Sequence, residues 1–197
     1  MRGRQSWRRR LPRAALILGI AVFAVAPAAI PRAFTTQAHA KALTAADKAA
    51  VKSRVDAFTA AFNAREFEKI ADFLPPRVLK LISQKSNVPM EQLLTSMRNV
   101  MRQAMDKVQF KSFGLDVATA ETRQGSGGEP FMLVPTQTVI TDPNGRTVQS
   151  DSKTLALKDG GTWYLMRVQL QQVPLITEAY PYLKGTTFER GTVKVLE

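Results

Sequence analysis

The stretch that decides the fold lies between residues 131 and 168. It reads FMLVPTQTVIT (131–141), DPNG (142–145), RTVQSDSKTLAL (146–157), KDGG (158–161) and TWYLMRV (162–168). The two short pieces are rich in Asp, Asn, Pro and Gly, which favour tight turns. The three longer pieces are rich in β-branched and aromatic residues, which favour strands. The sequence therefore predicts three antiparallel strands joined by tight turns, a meander.

Upstream of the meander, the apolar residues follow a helical period. Thr44 and Asp47 have the spacing of a capping box, and an apolar stripe of period near 3.6 follows, predicting a helix over 45–63. Further helical stretches are predicted at 65–74 and 78–82, and Pro89 begins a longer helix. From residue 108 the period changes to two, which predicts a strand over 108–113.

Helices first and an antiparallel sheet second indicate an α+β fold, with N-terminal helices packed on a curved sheet. Residues 170–183 have helical character interrupted by two prolines, and 193–195 fit a short strand. We expect a signal peptide at 1–40, a single cone-like domain at 41–169, and a C-terminal extension at 170–197 packed on that domain.

This order of elements resembles the nuclear-transport-factor-two-like superfamily, which includes SnoaL-like and ketosteroid-isomerase-like proteins. The resemblance covers residues 44–169. It depends on the helix with Phe58 and Phe62, the break Asn63-Ala64-Arg65-Glu66-Phe67, and the hairpin Lys158-Asp159-Gly160-Gly161-Thr162-Trp163-Tyr164. The helical stretch after Pro75-Pro76 and the extension 170–197 depart from the family pattern. The resemblance implies a cone-shaped fold, which serves enzymes, ligand binders and structural partners alike.

The first 40 residues are typical of an export signal. They carry seven arginines and no Asp or Glu, followed by an apolar run from Ala14 to Ala26. Small residues at Ala38 and Ala40 predict cleavage after Ala40. The run is shorter than the roughly 20 apolar residues that span a bilayer, so we expect export to the periplasm or exterior without a lasting membrane anchor. General secretion is favoured over twin-arginine export.

Cleavage would leave a chain with neither His nor Cys, because His39 is the only histidine and the sequence contains no cysteine. Ser-His-Asp and Cys-His nucleophilic sites, disulfides and ordinary zinc sites are then excluded. We expect no cofactor and no metal site. Met97, Met101 and Met105 have a spacing that would suit Cu(I), but an adaptable core stripe is the favoured interpretation. The mild positive charge of residues 41–197 does not indicate a nucleic-acid partner.

A candidate ligand site follows from the predicted strand register. If Thr141 faces Arg146 and Leu157 faces Thr162, one face of the sheet mixes small polar groups with an aromatic ring and a cation. The predicted ligand-binding residues are Gln137, Ser152, Thr154, Trp163 and Arg167. The alternative is a solvent-exposed face, and a slip of one residue would exchange the faces.

No catalytic residue is assigned. Without histidine, acid–base chemistry would fall to Asp116, Asp151 or Tyr164, and no two carboxylates have a diagnostic spacing. The favoured function is therefore a non-enzymatic exported module that binds a small ligand or a protein partner in the cell envelope. The alternative is a cofactor-free isomerase or lyase that uses Asp and Tyr. A third hypothesis is a homodimer formed through the sheet face.

Overall fold

A computed structural model describes residues 42–196, and the predicted signal peptide with its cleavage site at Ala40 lies outside this range. The described part has an α+β fold, which confirms the predicted class. Its helices are α1 (Ala45–Asn63), α2 (Phe67–Ile70), α3 (Pro76–Ser86), α4 (Met90–Asp106) and α5 (Val173–Ala179). Its strands are β1 (Gln109–Leu115), β2 (Glu121–Gln124), β3 (Pro130–Thr141), β4 (Thr147–Asp159), β5 (Thr162–Arg167) and β6 (Thr192–Leu196). Short 3-10 turns lie at Ala71–Phe73, Leu170–Gln172 and Pro181–Leu183.

The sheet is curled and antiparallel, and the long strands β3 and β4 form its centre. Strands β1 and β2 both pair with β3, one near each end of it. On the side of β4 away from β3, strand β5 pairs with one end of β4 and strand β6 pairs with the other end. Strand β2 was not predicted, because its four residues, ETRQ, carry no apolar alternation.

Helix α1 begins where the capping box predicted. The backbone amide of Asp47 donates to Thr44 Oγ1 (3.0 Å), and the Asp47 carboxylate accepts from the Thr44 amide (3.2 Å). The capping box thereby satisfies helix-terminal amides that have no partner within the helix. Val51 and Val55 on the same helix are buried against the sheet. The predicted periodicity of α1 therefore corresponds to its packing.

Both faces of the sheet are covered near its centre, because apolar residues occupy successive positions there and alternate between the faces. The inner face carries Met132, Val134, Ala156 and Leu165, which pack against α1 and the α2 region. The outer face carries Leu133, Leu155, Leu157 and Met166. Buried residues of α3 and the C-terminal segment cover the outer face: Val78, Ile176, Tyr180, Leu183 and Phe188. Residues 170–196 therefore contribute to the core.

The predicted register of the β3–β4 hairpin was wrong by one residue. Thr141 pairs with Thr147 rather than with Arg146. The loop closes through a hydrogen bond from the Gly145 amide to the Asp142 carbonyl (3.0 Å), with Gly145 at φ 80°. Asp142 and Arg146 then face each other, since the amide of Asp142 donates to the carbonyl of Arg146 (2.9 Å). A type I turn followed by a glycine in the left-handed region has this geometry.

The β4–β5 hairpin was predicted two residues out of register. Asp159 pairs with Thr162, and Thr154 pairs with Arg167. A shift of two residues leaves every side chain on its predicted face, whereas a shift of one moves it to the other. The β4 and β5 residues therefore lie on their predicted faces, and the β3 residues do not.

Helix α4 follows Pro89, as predicted, and is strongly amphipathic, yet none of its residues is buried. Met97, Met101 and Met105 are half-buried, and Val100 is 66% exposed. The apolar stripe of α4 is thus only partly covered by the elements beneath it. No helix in the range 42–196 has the length and apolar character needed to span a bilayer.

Candidate functional site

An apolar cavity of about 440 Å³ lies between the inner face of the sheet and the helices. Its walls come from the ends of α1 and α2, from α4 and from β1, and its base is the centre of β3, β4 and β5. The lining residues are Phe58, Phe62, Ile70, Leu74, Met101, Ala104, Met105, Val108, Phe110, Phe113, Thr136, Thr138, Ile140, Thr154, Leu165, Met166 and Arg167. We call this space the apolar cavity.

Aromatic rings form one wall of the apolar cavity. Phe62 stacks on Phe113 with ring centroids 4.3 Å apart, and Phe110 lies 5.0 Å from Phe62. Phe58, which also lines the cavity, packs edge-on against Phe73 of the surrounding core with ring centroids 5.2 Å apart. Such ring pairs hold one another in fixed orientations and contribute about 0.5–1.5 kcal/mol beyond their buried area. The wall is therefore preformed in the protein.

The base of the apolar cavity carries two buried hydroxyl groups. Thr136 and Thr154 are 6% and 5% exposed, and their Oγ1 atoms lie 2.7 Å apart. Thr136 also donates to the carbonyl oxygen of Val134 (3.1 Å), so the hydrogen between the two hydroxyls belongs to Thr154. Both donors are then used within the protein, and the base presents little unsatisfied polarity to a bound molecule.

Arg167 supplies a positive charge to the apolar cavity from the end of β5. Its Nη2 donates to Ser150 Oγ (3.1 Å), which is its hydrogen bond within the described residues. No carboxylate of residues 42–196 forms an ion pair with it at 4.0 Å or less. The guanidinium therefore retains donors that can meet a ligand.

Of the five predicted ligand-binding residues, Thr154 and Arg167 line the apolar cavity. Ser152 is on the same face but borders a neighbouring hollow with Arg167. Gln137 is on the outer face, contrary to its predicted face, and its amide donates to Asp151 Oδ1 (3.1 Å). Trp163 is 3% exposed in the core beside α1 and does not border the cavity.

Sequence reasoning missed Thr136 and Thr138, which line the apolar cavity on the face predicted for Gln137. Gly145 was the sequence signal for the correct faces of β3. A glycine at this position favours a loop one residue longer, which shifts the pairing of β3 with β4 by one residue. The sequence predicts Phe110 and Phe113 in the first strand but not in the cavity wall. Their contact with α1 depends on the curvature of the sheet, which local pattern does not show. Met101 and Met105, predicted as core residues, also line the cavity.

The candidate acid–base residues lie outside the apolar cavity. Asp116 and Asp151 border a separate open groove of about 530 Å³. Hydrogen bonds from Thr119 and Ala118 hold the pKa of Asp116 below its ordinary value. Hydrogen bonds from Gln149 and Gln137 lower the pKa of Asp151. Tyr164 is on the outer face opposite Leu157. These carboxylates are stabilised as anions, and a lowered pKa weakens a general base at neutral pH.

The described residues bring together no three His, Cys, Asp or Glu side chains in an arrangement that would hold a metal ion. The family models, the curated proteins and the solved structures yield no match to this chain. The geometry of the described residues is therefore the basis for any functional proposal.

Proposed function

We propose that this protein binds a small, largely apolar molecule in the apolar cavity without transforming it. The observation that carries the proposal is a preformed cavity of about 440 Å³ with aromatic and aliphatic walls and one arginine at its edge. Ligand sites commonly have a volume of about 300–1,000 Å³, apolar walls and few polar groups. The cavity fits this description in its size and in its lining.

The distribution of polar groups favours binding over catalysis. The lining contains threonine hydroxyls and one guanidinium, and no carboxylate or tyrosine of residues 42–196 borders it. A cofactor-free isomerase of the cone-fold type needs an acid or base that reaches its substrate. The hydroxyl donors of Thr136 and Thr154 are already engaged. These features support a binding protein over the isomerase or lyase alternative.

The half-covered helix α4 supports reversible entry of the ligand. It contributes Met101, Ala104 and Met105 to the cavity, and none of its residues is buried. A helix with few buried contacts opens at a lower free-energy cost than a core helix. Methionine side chains also adapt to molecules of different shape. We infer that α4 forms the adjustable wall of the site.

The leader-like segment at residues 1–40 supports a function in the cell envelope. Residues 1–40 lie outside the described part of the chain, so export is inferred from their sequence. Amino-terminal sequencing of the protein isolated from its cells tests it. We expect the mature protein to begin at Lys41, and an intact amino terminus would contradict export by cleavage.

The binding proposal is tested by filling the cavity from α4. Ala104→Trp adds an indole at the rim of the space, because Ala104 lines the cavity and is exposed to solvent. The matched control is Gln103→Trp, an exposed neighbour about 100° away around the helix that does not line the cavity. Calorimetric titration with dodecanol should show binding by the unaltered protein and by the control.

We expect Ala104→Trp to weaken dodecanol binding at least about tenfold, which corresponds to about 1.4 kcal/mol. Circular dichroism should confirm that both variants remain folded. Equal binding by the two variants, or no dodecanol binding by the unaltered protein, would contradict the proposal.

A further inference from the structure

A polar recess of about 340 Å³ adjoins the apolar cavity. We define it by Ser150, Ser152, Arg167, Gln169, Arg190 and Gly191, which line it. Arg167 borders both spaces. The recess therefore begins where the apolar cavity ends.

The strand register makes the two spaces continuous along one face of the sheet. Thr138 in the cavity pairs with Ser150 in the recess, and Thr136 pairs with Ser152. Paired residues of antiparallel strands carry their side chains on the same face, with Cβ atoms about 5 Å apart. A single molecule can thus contact both spaces without crossing the sheet.

The charges of the polar recess favour an anion. Arg167 and Arg190 both line it, and neither forms an ion pair with a carboxylate in residues 42–196. One carboxylate, that of Glu189, also borders the recess, but its Oε2 lies 3.0 Å from Lys153 Nζ. Lys153 also pairs with Glu121, which pairs in turn with Arg123, so these two carboxylates and two cations are neutral together. Among residues 42–196, the guanidinium groups of Arg167 and Arg190 are therefore the unbalanced charges at the recess.

Gly191 brings the second arginine to the recess. A Cβ at this position would lie 2.8 Å from the carbonyl oxygen of Asp151 and 3.1 Å from Ser152 Cβ. Only glycine allows the chain to approach β4 this closely without displacement. The preceding residue, Arg190, is thereby held beside the strand that carries Ser150 and Ser152.

We propose that the polar recess binds the anionic head of the same molecule whose apolar part occupies the cavity. The ligand class is a long-chain amphiphile ending in a carboxylate or a phosphate. Guanidinium groups bind both anions through paired, charge-assisted hydrogen bonds. This inference rests on the proposed function, because it uses the apolar cavity for the chain of the ligand.

The test compares dodecanoate, dodecyl phosphate, dodecanol and inorganic phosphate by calorimetric titration below their micelle concentrations. The variants are Arg167→Gln and Arg190→Gln. The matched control is Arg102→Gln, an exposed arginine of α4 that donates to Asn99 and borders neither space. Circular dichroism checks that each variant is folded.

In the unaltered protein we expect at least one of the two anionic amphiphiles to bind about tenfold or more tightly than dodecanol. Arg167→Gln and Arg190→Gln should each remove most of this preference. Arg190 lines the recess and not the apolar cavity, so Arg190→Gln should also leave dodecanol affinity within about twofold. Arg102→Gln should leave both affinities unchanged. The relative affinities of dodecanoate and dodecyl phosphate identify the preferred head group.

Three results would overturn the inference. Equal affinities for dodecanol and both anionic amphiphiles would show that the recess does not bind the head group. The proposed function of the apolar cavity would be unaffected by that result. Inorganic phosphate binding as tightly as dodecyl phosphate would make the recess an independent anion site. An anionic preference that survives both arginine substitutions would place the charge recognition elsewhere. If no dodecyl compound binds, the proposed function itself fails.

Discussion

The hydroxyl groups of Thr136 and Thr154 meet at 2.7 Å across adjacent strands, at the base of the apolar cavity. The bond is diagonal, because Thr154 is the register partner of Val134 and Thr136 is that of Ser152. Thr136 in turn donates to the carbonyl of Val134. The order of donation makes the two hydroxyls unequal, since Thr154 depends on Thr136 as its acceptor.

This inequality predicts different costs for the two valine substitutions. Thr136→Val leaves the buried hydroxyl of Thr154 without an acceptor, and we expect a loss of about 2 kcal/mol in the free energy of unfolding. Thr154→Val leaves Thr136 bonded to Val134 and should cost about 1 kcal/mol or less. Urea denaturation of both variants measures the difference. Equal costs would mean that the order of donation is wrong.

The double variant Thr136→Val/Thr154→Val gives a second check of the same pair. It removes both hydroxyls, so neither hydroxyl of the pair is left buried without a partner. We expect its cost to be smaller than the sum of the single costs by about 1 kcal/mol. Strict additivity would show that the two hydroxyls do not interact.

Tyr180 is predicted to hold the C-terminal segment on the sheet through its hydroxyl. Its ring is 1% exposed, and its hydroxyl donates to Asp159 Oδ2 (3.0 Å). Asp159 Oδ1 also binds Arg77 of α3 at 2.9 Å. Tyr180→Phe removes one hydrogen bond to a charged acceptor and should lower the free energy of unfolding by about 1.5 kcal/mol or more.

The control for Tyr180→Phe is Tyr182→Phe, two residues along the same segment. Tyr182 is half-buried, and its hydroxyl has no hydrogen-bond partner among residues 42–196. Its substitution should change the free energy of unfolding by less than about 0.5 kcal/mol. Thermal denaturation followed by circular dichroism compares the two. A larger effect at Tyr182 would contradict the assigned bond.

Gly125 is predicted to be required where the loop before β3 touches the C-terminal segment. A Cβ at residue 125 would overlap the carbonyl oxygen of Tyr182 and lie 2.6 Å from Cδ2 of its ring. The backbone of Tyr182 cannot move aside without disturbing the segment, so Gly125→Ala should destabilise the protein by about 2 kcal/mol.

Gly114→Ala is the matched control for the Gly125 prediction, because among residues 42–196 no atom beyond Gly114 and its two chain neighbours lies within 4 Å of the Cβ it would add. Gly114 is in a strand, where alanine fits the backbone and loses less entropy on folding. Its substitution should be neutral or slightly stabilising in a thermal unfolding experiment. If both alanine variants behave alike, the contact at Gly125 is unimportant for stability.

Acid should destabilise the protein in part through Asp47. Hydrogen bonds from Lys158 and from Thr44 lower the pKa of Asp47 from its ordinary value of 3.8. A lowered pKa in the folded state contributes stability above the unfolded value, and that contribution is lost as the pH falls through the folded value. Unfolding experiments between about pH 5 and pH 2 should therefore show a steep decline.

Asp47→Asn removes the ionisable group and should make that decline shallower. The control, Asp56→Asn, breaks a surface pair with Lys52 in which the two side chains are 61% and 66% exposed. Exposed i,i+4 pairs contribute only about 0.3–0.5 kcal/mol, so this variant should follow the unaltered protein. Identical acid profiles for Asp47→Asn and the unaltered protein would contradict the prediction.

Local signals predicted most of the elements correctly. The capping box at Thr44 and Asp47 and the apolar stripe behind it gave the bounds of α1, because a helix start depends on neighbouring residues. Alternation and turn residues gave β3, β4 and β5 to within two residues at each end. Strand β2 was not predicted, because its sequence has no local apolar pattern and it becomes a strand only by pairing with β3 in the folded protein.

The candidate site was only half predictable for the same reason. Thr154 and Arg167 were placed on the correct face, because a two-residue error preserves the faces. Gln137 was misplaced, because the Asp142–Arg146 loop holds one residue more than predicted. A single residue in a turn thus decided which side of β3 faces the helices.

By itself, the sequence determined the α+β class, the capped first helix, the three-stranded meander and a chain without cysteine. These depend on local pattern and composition, which need no knowledge of distant contacts. Only the tertiary structure decided that Phe62 stacks on Phe113, that Thr136 bonds Thr154, and that Arg167 borders two spaces at once. Such contacts depend on sheet curvature and strand register. Both are set by packing between residues that are far apart in the chain.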